Sequence, residues 1–96
     1  MKTIYVIKAH KENDKSVNAM SKDNTVYIPA THLCALSDLR AKGFTIEGIV
    51  KAEMTRKMSS DNRWTSSAFS ANLLYRNWYN NGTKIEVDEN DMEKAV

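Results

Sequence analysis

The amino-acid sequence predicts one small α+β domain in which an antiparallel sheet packs against two helices. The chain has 96 residues, 42% of them apolar, which suits one modest core. Its apolar segments are mostly short and alternate with polar residues, as strands do, while two longer segments have helical spacing and helix-ending residues. The predicted order is β-β-α-β-(β)-α-β, in a single domain over residues 1–88 that precedes an acidic tail over residues 89–96.

The first third of the chain predicts two strands. Residues 2–8 carry apolar side chains on both faces of a strand, which is typical of a position inside a sheet. Residues 9–23 are mostly polar and predict a loop, with a short ordered turn at 16–20. Residues 24–28 form the second predicted strand, and Pro29 should end it because proline has no N–H for the ladder.

The first predicted helix spans residues 32–42 and has a signal at each end. Thr31 is placed as its N-cap, because a hydroxyl can accept from the free N–H groups of a first turn. Gly43 follows the last turn and tolerates the left-handed conformation of a helix end. We expect Phe44 to pack back onto Leu39, the contact that accompanies such an end.

Residues 44–56 are compatible with two structures. As a strand, they place apolar side chains at alternate positions from Phe44 to Met54. As a helix, they form an acceptable apolar stripe, but Gly48 would stand in its interior at a cost of about 1 kcal/mol relative to alanine. We prefer the strand.

The last third predicts a second helix between two strands. Residues 59–62 have the composition of a turn, and residues 63–66 are the bracketed strand of the predicted order. Residues 67–80 form a helix with Trp78 on its main apolar stripe. Residues 83–87 form the last strand.

The small net charge of +2 hides an uneven distribution. Residues 1–85 contain 13 basic and 7 acidic side chains, whereas residues 86–96 contain one lysine and five acids. We expect these last residues to be solvated. The alternative is a tail that shields a basic surface or docks on a basic partner.

Cysteine content and hydropathy predict a cytoplasmic protein without membrane contact. Cys34 is the single cysteine, so no intramolecular disulfide can form. No apolar segment approaches the ~20 residues of a membrane span, and the apolar stretch near the N-terminus is shorter than that of a signal peptide.

Residues able to support catalysis or to bind metal are few and scattered. A structural zinc site uses four cysteine or histidine ligands, and this chain has only His10, His32 and Cys34. At positions i and i+2 of a helix, His32 would not face Cys34 as a base. We therefore expect no metal, no cofactor and no enzymatic activity, with His32 exposed and Cys34 in the core.

Nucleic-acid binding is one alternative. Residues 35–54 can be aligned with a helix-turn-helix, with Gly43 at the turn, although Glu47 and Glu53 would then face the phosphates. A second candidate nucleic-acid-binding surface is the mixture of cations and aromatic side chains between residues 51 and 76. Such mixtures are typical of proteins that bind single-stranded nucleic acid.

Protein binding has broader support. Residues 63–79 are rich in tryptophan, tyrosine and arginine, the types that dominate binding hot spots. In the second helix, Phe69, Leu73 and Tyr79 lie off the Trp78 stripe. One face of this helix should therefore pack in the core while another meets a partner or a second copy of the chain.

Four segments resemble small phage proteins of the anti-CRISPR kind that inhibit type I surveillance complexes: MKTIYVIK, ATHLCALSDLRAKG, FTIEGIVKAEMT and DNRWTS. The resemblance covers residues 1–66 and rests on the order of elements, with residues 9–23 as an insertion. It implies a helix on an antiparallel sheet and exposed basic side chains that block the path of target DNA. Arg40 and Lys42 match the basic end of that helix.

The sequence and this resemblance together predict a non-catalytic, phage-type inhibitor that sterically blocks a host protein or a protein–nucleic acid complex in the host cytoplasm. The alternative is a small regulator that contacts nucleic acid directly through basic residues between 40 and 63. The predicted partner-binding residues are Arg40, Lys42, Lys51, Arg56, Lys57, Arg63, Trp64, Tyr75 and Trp78.

Overall fold

The computed structural model describes residues 2–94 as a four-stranded antiparallel sheet with four helices, which confirms the predicted α+β class. The strands are β1 (Lys2–His10), β2 (Thr25–Ala30), β3 (Thr45–Met54) and β4 (Thr83–Ile85). They lie in the order β2-β1-β3-β4. The helices are α1 (Lys15–Met20), α2 (Ala35–Ala41), α3 (Arg56–Trp64) and α4 (Ala68–Asn81).

Strand β1 lies inside the sheet, as its two apolar faces predict. It pairs with β2 on one side and with β3 on the other, so that Ile7 stands opposite Ile28 and Ile49. Consecutive side chains of a strand point to opposite faces. Val6 and Ile7 are both fully buried, which requires helices on both faces of the sheet.

A helical layer covers each face. The cluster under α2 consists of Ile7, Leu36, Leu39 and Ile49. The cluster under α4 consists of Ile4, Val6 and Trp78. Met58 of α3 packs at the margin of the second cluster, so α3 and α4 lie on the same side of the sheet. The short helix α1 confirms the ordered turn predicted at 16–20 and buries Val17 against Ala9 and Val26.

Helix α2 begins later than predicted. Its N-cap is Cys34, which makes no side-chain cap hydrogen bond, so Thr31 does not have the predicted capping role. The residues before the helix form turns with hydrogen bonds between positions i and i−3. Ala35 N–H donates to His32 O (3.4 Å), and Leu36 N–H donates to Leu33 O (3.0 Å). These bonds satisfy the first N–H groups of the helix without a side-chain cap.

The C-terminal end of α2 has the predicted Schellman geometry. Gly43 has φ 93°, its N–H donates to Arg40 O, and Phe44 N–H donates to Leu39 O, both at 3.0 Å. Residues 45–54 are a strand, as preferred from their alternation. The helical alternative and the helix-turn-helix alignment are therefore wrong.

Pro29 does not end β2, which continues through it to Ala30. β2 is the edge strand of the sheet, and Tyr27 N–H, two residues earlier, points outward and away from β1 to bind Asn72. Position 29 shares this outward orientation, so a residue without an N–H costs no ladder hydrogen bond there.

Residues 63–66 do not form the bracketed strand, because residues 56–64 form helix α3. Thr55 is its N-cap, and the Thr55 hydroxyl accepts from Met58 N–H at 3.1 Å. A Lys57–Asp61 ion pair of 3.1 Å spans one turn. The Ser-Ser-Asp-Asn segment with turn composition therefore lies within a capped helix.

The last strand is shorter than predicted, since β4 ends at Ile85. Beyond it, Val87 forms an antiparallel bridge with Glu93, and Asp91 contacts Arg40. The described part of the predicted acidic tail thus lies against the domain rather than free in solvent. Residues 95–96 of that tail are outside the described residues.

Candidate interaction surface

The predicted partner-binding residues lie on two opposite faces of the molecule. Arg40 and Lys42 stand at the end of α2, and Lys51 shares the α2 side of β3 with Ile49. The remaining six residues belong to α3 and α4 on the other side of the sheet. The structure therefore does not bring all nine side chains together into one surface.

The most exposed aromatic side chain is at the junction of α3 and α4. Trp64, the last residue of α3, is 80% exposed, whereas Phe69 and Leu73 on α4 are 51% and 49% exposed. Phe69 and Leu73 are four residues apart and therefore neighbours on the helix surface. These three residues form the apolar part of what we call the α3–α4 surface.

Hydrogen bonds on both sides of the junction fix its geometry. The Thr65 hydroxyl donates to Asp61 O (2.7 Å) and ends α3. The Ser67 hydroxyl accepts from Ser70 N–H (3.1 Å) and begins α4. Because only three residues separate the helices, Trp64 stands at the end of α3 beside a short, hydrogen-bonded connection.

Trp78 is not available as a partner anchor, contrary to the sequence prediction. It is 5% exposed and packs against Ile4 and Val6, so it belongs to the core. Tyr75 is only partly exposed. Its ring lies 5.1 Å from that of Trp78, its hydroxyl donates to Asn62 Oδ1, and burial raises its pKa.

The α3–α4 surface carries a net positive charge. Residues 55–82 contain four cations and one acid, Asp61, which is paired with Lys57. Among the described residues, Arg56 and Arg63 take part in no ion pair. Arg76 is the remaining cation and is exposed. We include Arg56, Arg63 and Arg76 in the α3–α4 surface.

Arg76 has an acidic neighbour across the sheet edge. The pKa of Asp23 is lowered mainly by the Ser21 hydroxyl and the Thr25 N–H, with a smaller electrostatic contribution from Arg76. No hydrogen bond between this carboxylate and Arg76 occurs among the described residues. The cation therefore remains open to solvent.

Sequence reasoning did not include Phe69, Leu73 or Arg76 among the partner-binding residues. For Phe69 and Leu73 the available signal was their position off the Trp78 stripe, which separates the outer side of α4 from its core side. Arg76 belonged to the mixture of cations and aromatic side chains considered for nucleic-acid binding. The third residue off that stripe, Tyr79, packs with its ring 5.4 Å from that of Tyr27. Spacing alone therefore identified two of the three side chains correctly as surface residues.

On the opposite face, Arg40 and Lys51 are already paired. Arg40 Nη1 lies 2.7 Å from an Asp91 carboxylate oxygen, and Lys51 Nζ lies 3.3 Å from Glu93. Lys42 is exposed. Arg40 and Lys51 therefore differ from Arg56 and Arg63, because acidic side chains of the same chain neutralise them.

An open groove of about 910 Å³ lies between α3, the end of α4 and β4. Ala52, Met58 and Trp78 contribute apolar atoms to it, while its charged side chains include the Lys51–Glu93 pair as well as the Lys57–Asp61 pair. The mixed charge favours no single class of ligand.

Within residues 2–94, no group of three histidine, cysteine or acidic side chains is arranged to hold a metal ion. Cys34 is exposed, not in the core as expected.

Comparisons with protein-family models, curated proteins and solved structures found no match. In the part of the chain that the structure describes, no helix is long and apolar enough to cross a membrane.

Proposed function

We propose that this protein is a non-catalytic inhibitor of the phage type, which binds a host protein or nucleoprotein complex in the cytoplasm and blocks it by occupying a functional surface. The observation that supports binding is the 80% exposure of Trp64 at the hydrogen-bonded junction of α3 and α4. Tryptophan is the residue most enriched in binding hot spots. The resemblance to small phage inhibitors supports the inhibitory part.

The composition of the α3–α4 surface supports binding rather than accidental exposure. A tryptophan that is 80% exposed is uncommon on a small domain, and Phe69 and Leu73 add further exposed apolar area on α4. Arg56 and Arg63 on α3 and Arg76 on α4 add positive charge to the same two helices, and arginine is also enriched at interfaces. The partner should therefore combine an apolar pocket with an acidic rim.

A second candidate function, direct binding of single-stranded nucleic acid, is favoured by the same exposed indole. Bases stack on aromatic side chains, and Arg63 stands next to Trp64 in the chain. In this case affinity should fall steeply with salt, because phosphate contacts release counterions.

The test compares Trp64→Ala with a matched control, Met92→Ala, which removes another exposed apolar side chain (65% exposed) from a different part of the molecule. Immobilised protein captures partners from bacterial lysate, captured proteins are identified, and the activity of the purified partner is measured with and without inhibitor. We expect the wild type and Met92→Ala to bind and inhibit, and Trp64→Ala to lose both effects.

The same set of variants also distinguishes the proposed function from its alternatives. Equal capture by Trp64→Ala and the wild type contradicts the proposed surface, and capture without inhibition contradicts the inhibitory role. Titration of labelled oligothymidine tests the nucleic-acid alternative, which requires binding that weakens with salt and with Trp64→Ala. Sedimentation of the purified chain shows whether a second copy covers this surface.

A further inference from the structure

The C-terminal residues 86–94 fold back into a hairpin on the α2 side of the molecule. Val87 bridges Glu93, Lys94 N–H donates to Glu86 O (2.9 Å), and Asp88 N–H donates to Met92 O (2.9 Å). This segment contains five acids and one lysine. We call it the acidic hairpin.

Two carboxylates of the acidic hairpin bind two cations of the domain. Both oxygens of Asp91 accept from Arg40 Nη1, at 2.7 and 2.8 Å. Both oxygens of Glu93 accept from Lys51 Nζ, at 3.4 and 3.3 Å. Arg40 comes from α2 and Lys51 from β3, so the two cations form a site that accepts carboxylates at positions i and i+2 of one peptide segment.

The outer arm of the acidic hairpin, residues 91–94, is attached mainly by polar contacts. Its one large apolar side chain, Met92, is 65% exposed. The paired cations are partly exposed, with Arg40 at 47% and Lys51 at 40%, while Glu93 is 35% and Asp91 17% exposed. Ion pairs between exposed side chains contribute about 0–1 kcal/mol each. A ligand with similar charges can therefore compete with this arm for the two cations.

We propose that Arg40 and Lys51 form a binding site for an acidic peptide segment of a partner protein, and that the acidic hairpin occupies this site until the partner displaces it. The occupant seen in the structure is itself an acidic peptide, which defines the chemistry that the site accepts. The proposal goes beyond the α3–α4 surface, since Arg40 belongs to α2 on the opposite face of the sheet and neither cation is part of that surface.

The test uses the full chain with Asp91→Asn and Glu93→Gln, which free both cations. The matched control is Glu86→Gln with Glu89→Gln, which removes two negative charges from the same hairpin without touching the ion pairs. The probe is fluorescein-labelled poly-L-glutamate, followed by fluorescence anisotropy at low ionic strength. We expect the first variant to bind the probe about tenfold more tightly than the control, as expected for the release of two exposed ion pairs.

Adding Arg40→Gln and Lys51→Gln to the first variant should abolish this gain. An equal gain in the control, no gain in either variant, or a gain that survives loss of both cations would overturn the proposal. A gain for labelled oligothymidine but not for polyglutamate would also overturn it, in favour of a nucleic-acid site. Asp91→Asn alone, which removes only the Arg40 pair, provides a milder variant if the double substitution does not fold.

The result is independent of the proposed function. Trp64→Ala should leave polyglutamate binding unchanged, because Trp64 is on the other side of the sheet. A negative polyglutamate result would therefore contradict only the Arg40–Lys51 site. Equal partner capture by Trp64→Ala and the wild type would contradict only the α3–α4 surface.

Discussion

The Asn72 side chain of α4 binds the backbone of Tyr27 and closes the outer edge of β2. Its Oδ1 accepts from Tyr27 N–H at 2.8 Å, and its Nδ2 donates to Thr25 O at 3.4 Å. A side-chain amide thus makes the two bonds that a neighbouring strand would make. Since Pro29 has no N–H at the next outward position, this edge offers little to a strand of another molecule.

Replacing Asn72 with alanine should destabilise the protein by about 1–3 kcal/mol, because two poorly solvated backbone groups lose their partner. Urea unfolding followed by circular dichroism measures the change. Asn80→Ala is the matched control, since Asn80 is exposed on the same helix and gains the same helix propensity. Equal stability of the two variants would show that the Asn72 bonds contribute nothing. Light scattering should also detect more association in Asn72→Ala, because its β2 edge is open.

The elements that the sequence predicted well are those determined by their own residues. The alternation of β3 and the Gly43 end of α2 are local signals, and both are found as expected. Helix α3 was missed because its serine, aspartate and asparagine residues are typical of turns. Its helical state depends on the Thr55 cap and on packing of Met58 against the core.

The division of aromatic residues between core and surface could not be read from composition. Trp64 and Trp78 are the same residue type with similar basic and polar neighbours in the chain. Trp78 is buried because its position on α4 faces Ile4 and Val6, a relationship set by how the helix packs on the sheet. The pairing of Arg40 and Lys51 with the acidic hairpin likewise depends on contacts between residues more than 40 positions apart.

The two tryptophans should differ sharply in their effect on stability. Trp78→Ala should cost about 3–5 kcal/mol, since it leaves a cavity in the core cluster with Ile4 and Val6. Trp64→Ala should change the free energy of unfolding by less than about 0.5 kcal/mol, as is usual for an exposed substitution. Urea unfolding of both variants measures this difference. A large loss of stability in Trp64→Ala would mean that the indole packs in the folded protein and is not a free anchor.

Gly82 should tolerate a side chain poorly, because a buried side chain and two backbone oxygens crowd the position of a Cβ atom. That atom would collide with the Val50 side chain and lie 3.0 Å from Lys51 O and 3.3 Å from Trp78 O. We expect Gly82→Ala to cost about 1–3 kcal/mol through displacement of the end of α4 from β3. Thermal unfolding measures the loss.

Gly48 provides the comparison for this prediction. A Cβ at Gly48 would collide with the Tyr79 hydroxyl, which is the end of a side chain and can move. Tyr79→Phe removes that hydroxyl, so it should recover part of the stability lost in Gly48→Ala and none of that lost in Gly82→Ala. Equal recovery in both backgrounds would contradict the assignment of these contacts.

Stability should fall at acid pH partly through Asp14, the N-cap of α1. Its pKa is lowered chiefly by the hydrogen bond from Val17 N–H, and then by Lys11, whose Nζ lies 3.2 Å away. Because the pKa of Asp14 is lower in the folded than in the unfolded chain, its contribution is present above the unfolded value of about 3.9. That contribution is lost as the pH falls through the folded value.

Asp14→Asn keeps a capping oxygen but cannot ionise, so its stability should lie below that of the wild type at pH 7 and approach it as the Asp14 carboxylate becomes protonated. Urea unfolding at neutral and acid pH measures the difference between the two proteins at each pH. Glu89→Gln controls for the loss of one negative charge at an exposed position. A difference between wild type and Asp14→Asn that stays constant with pH would show that the cap does not depend on the charge of the carboxylate.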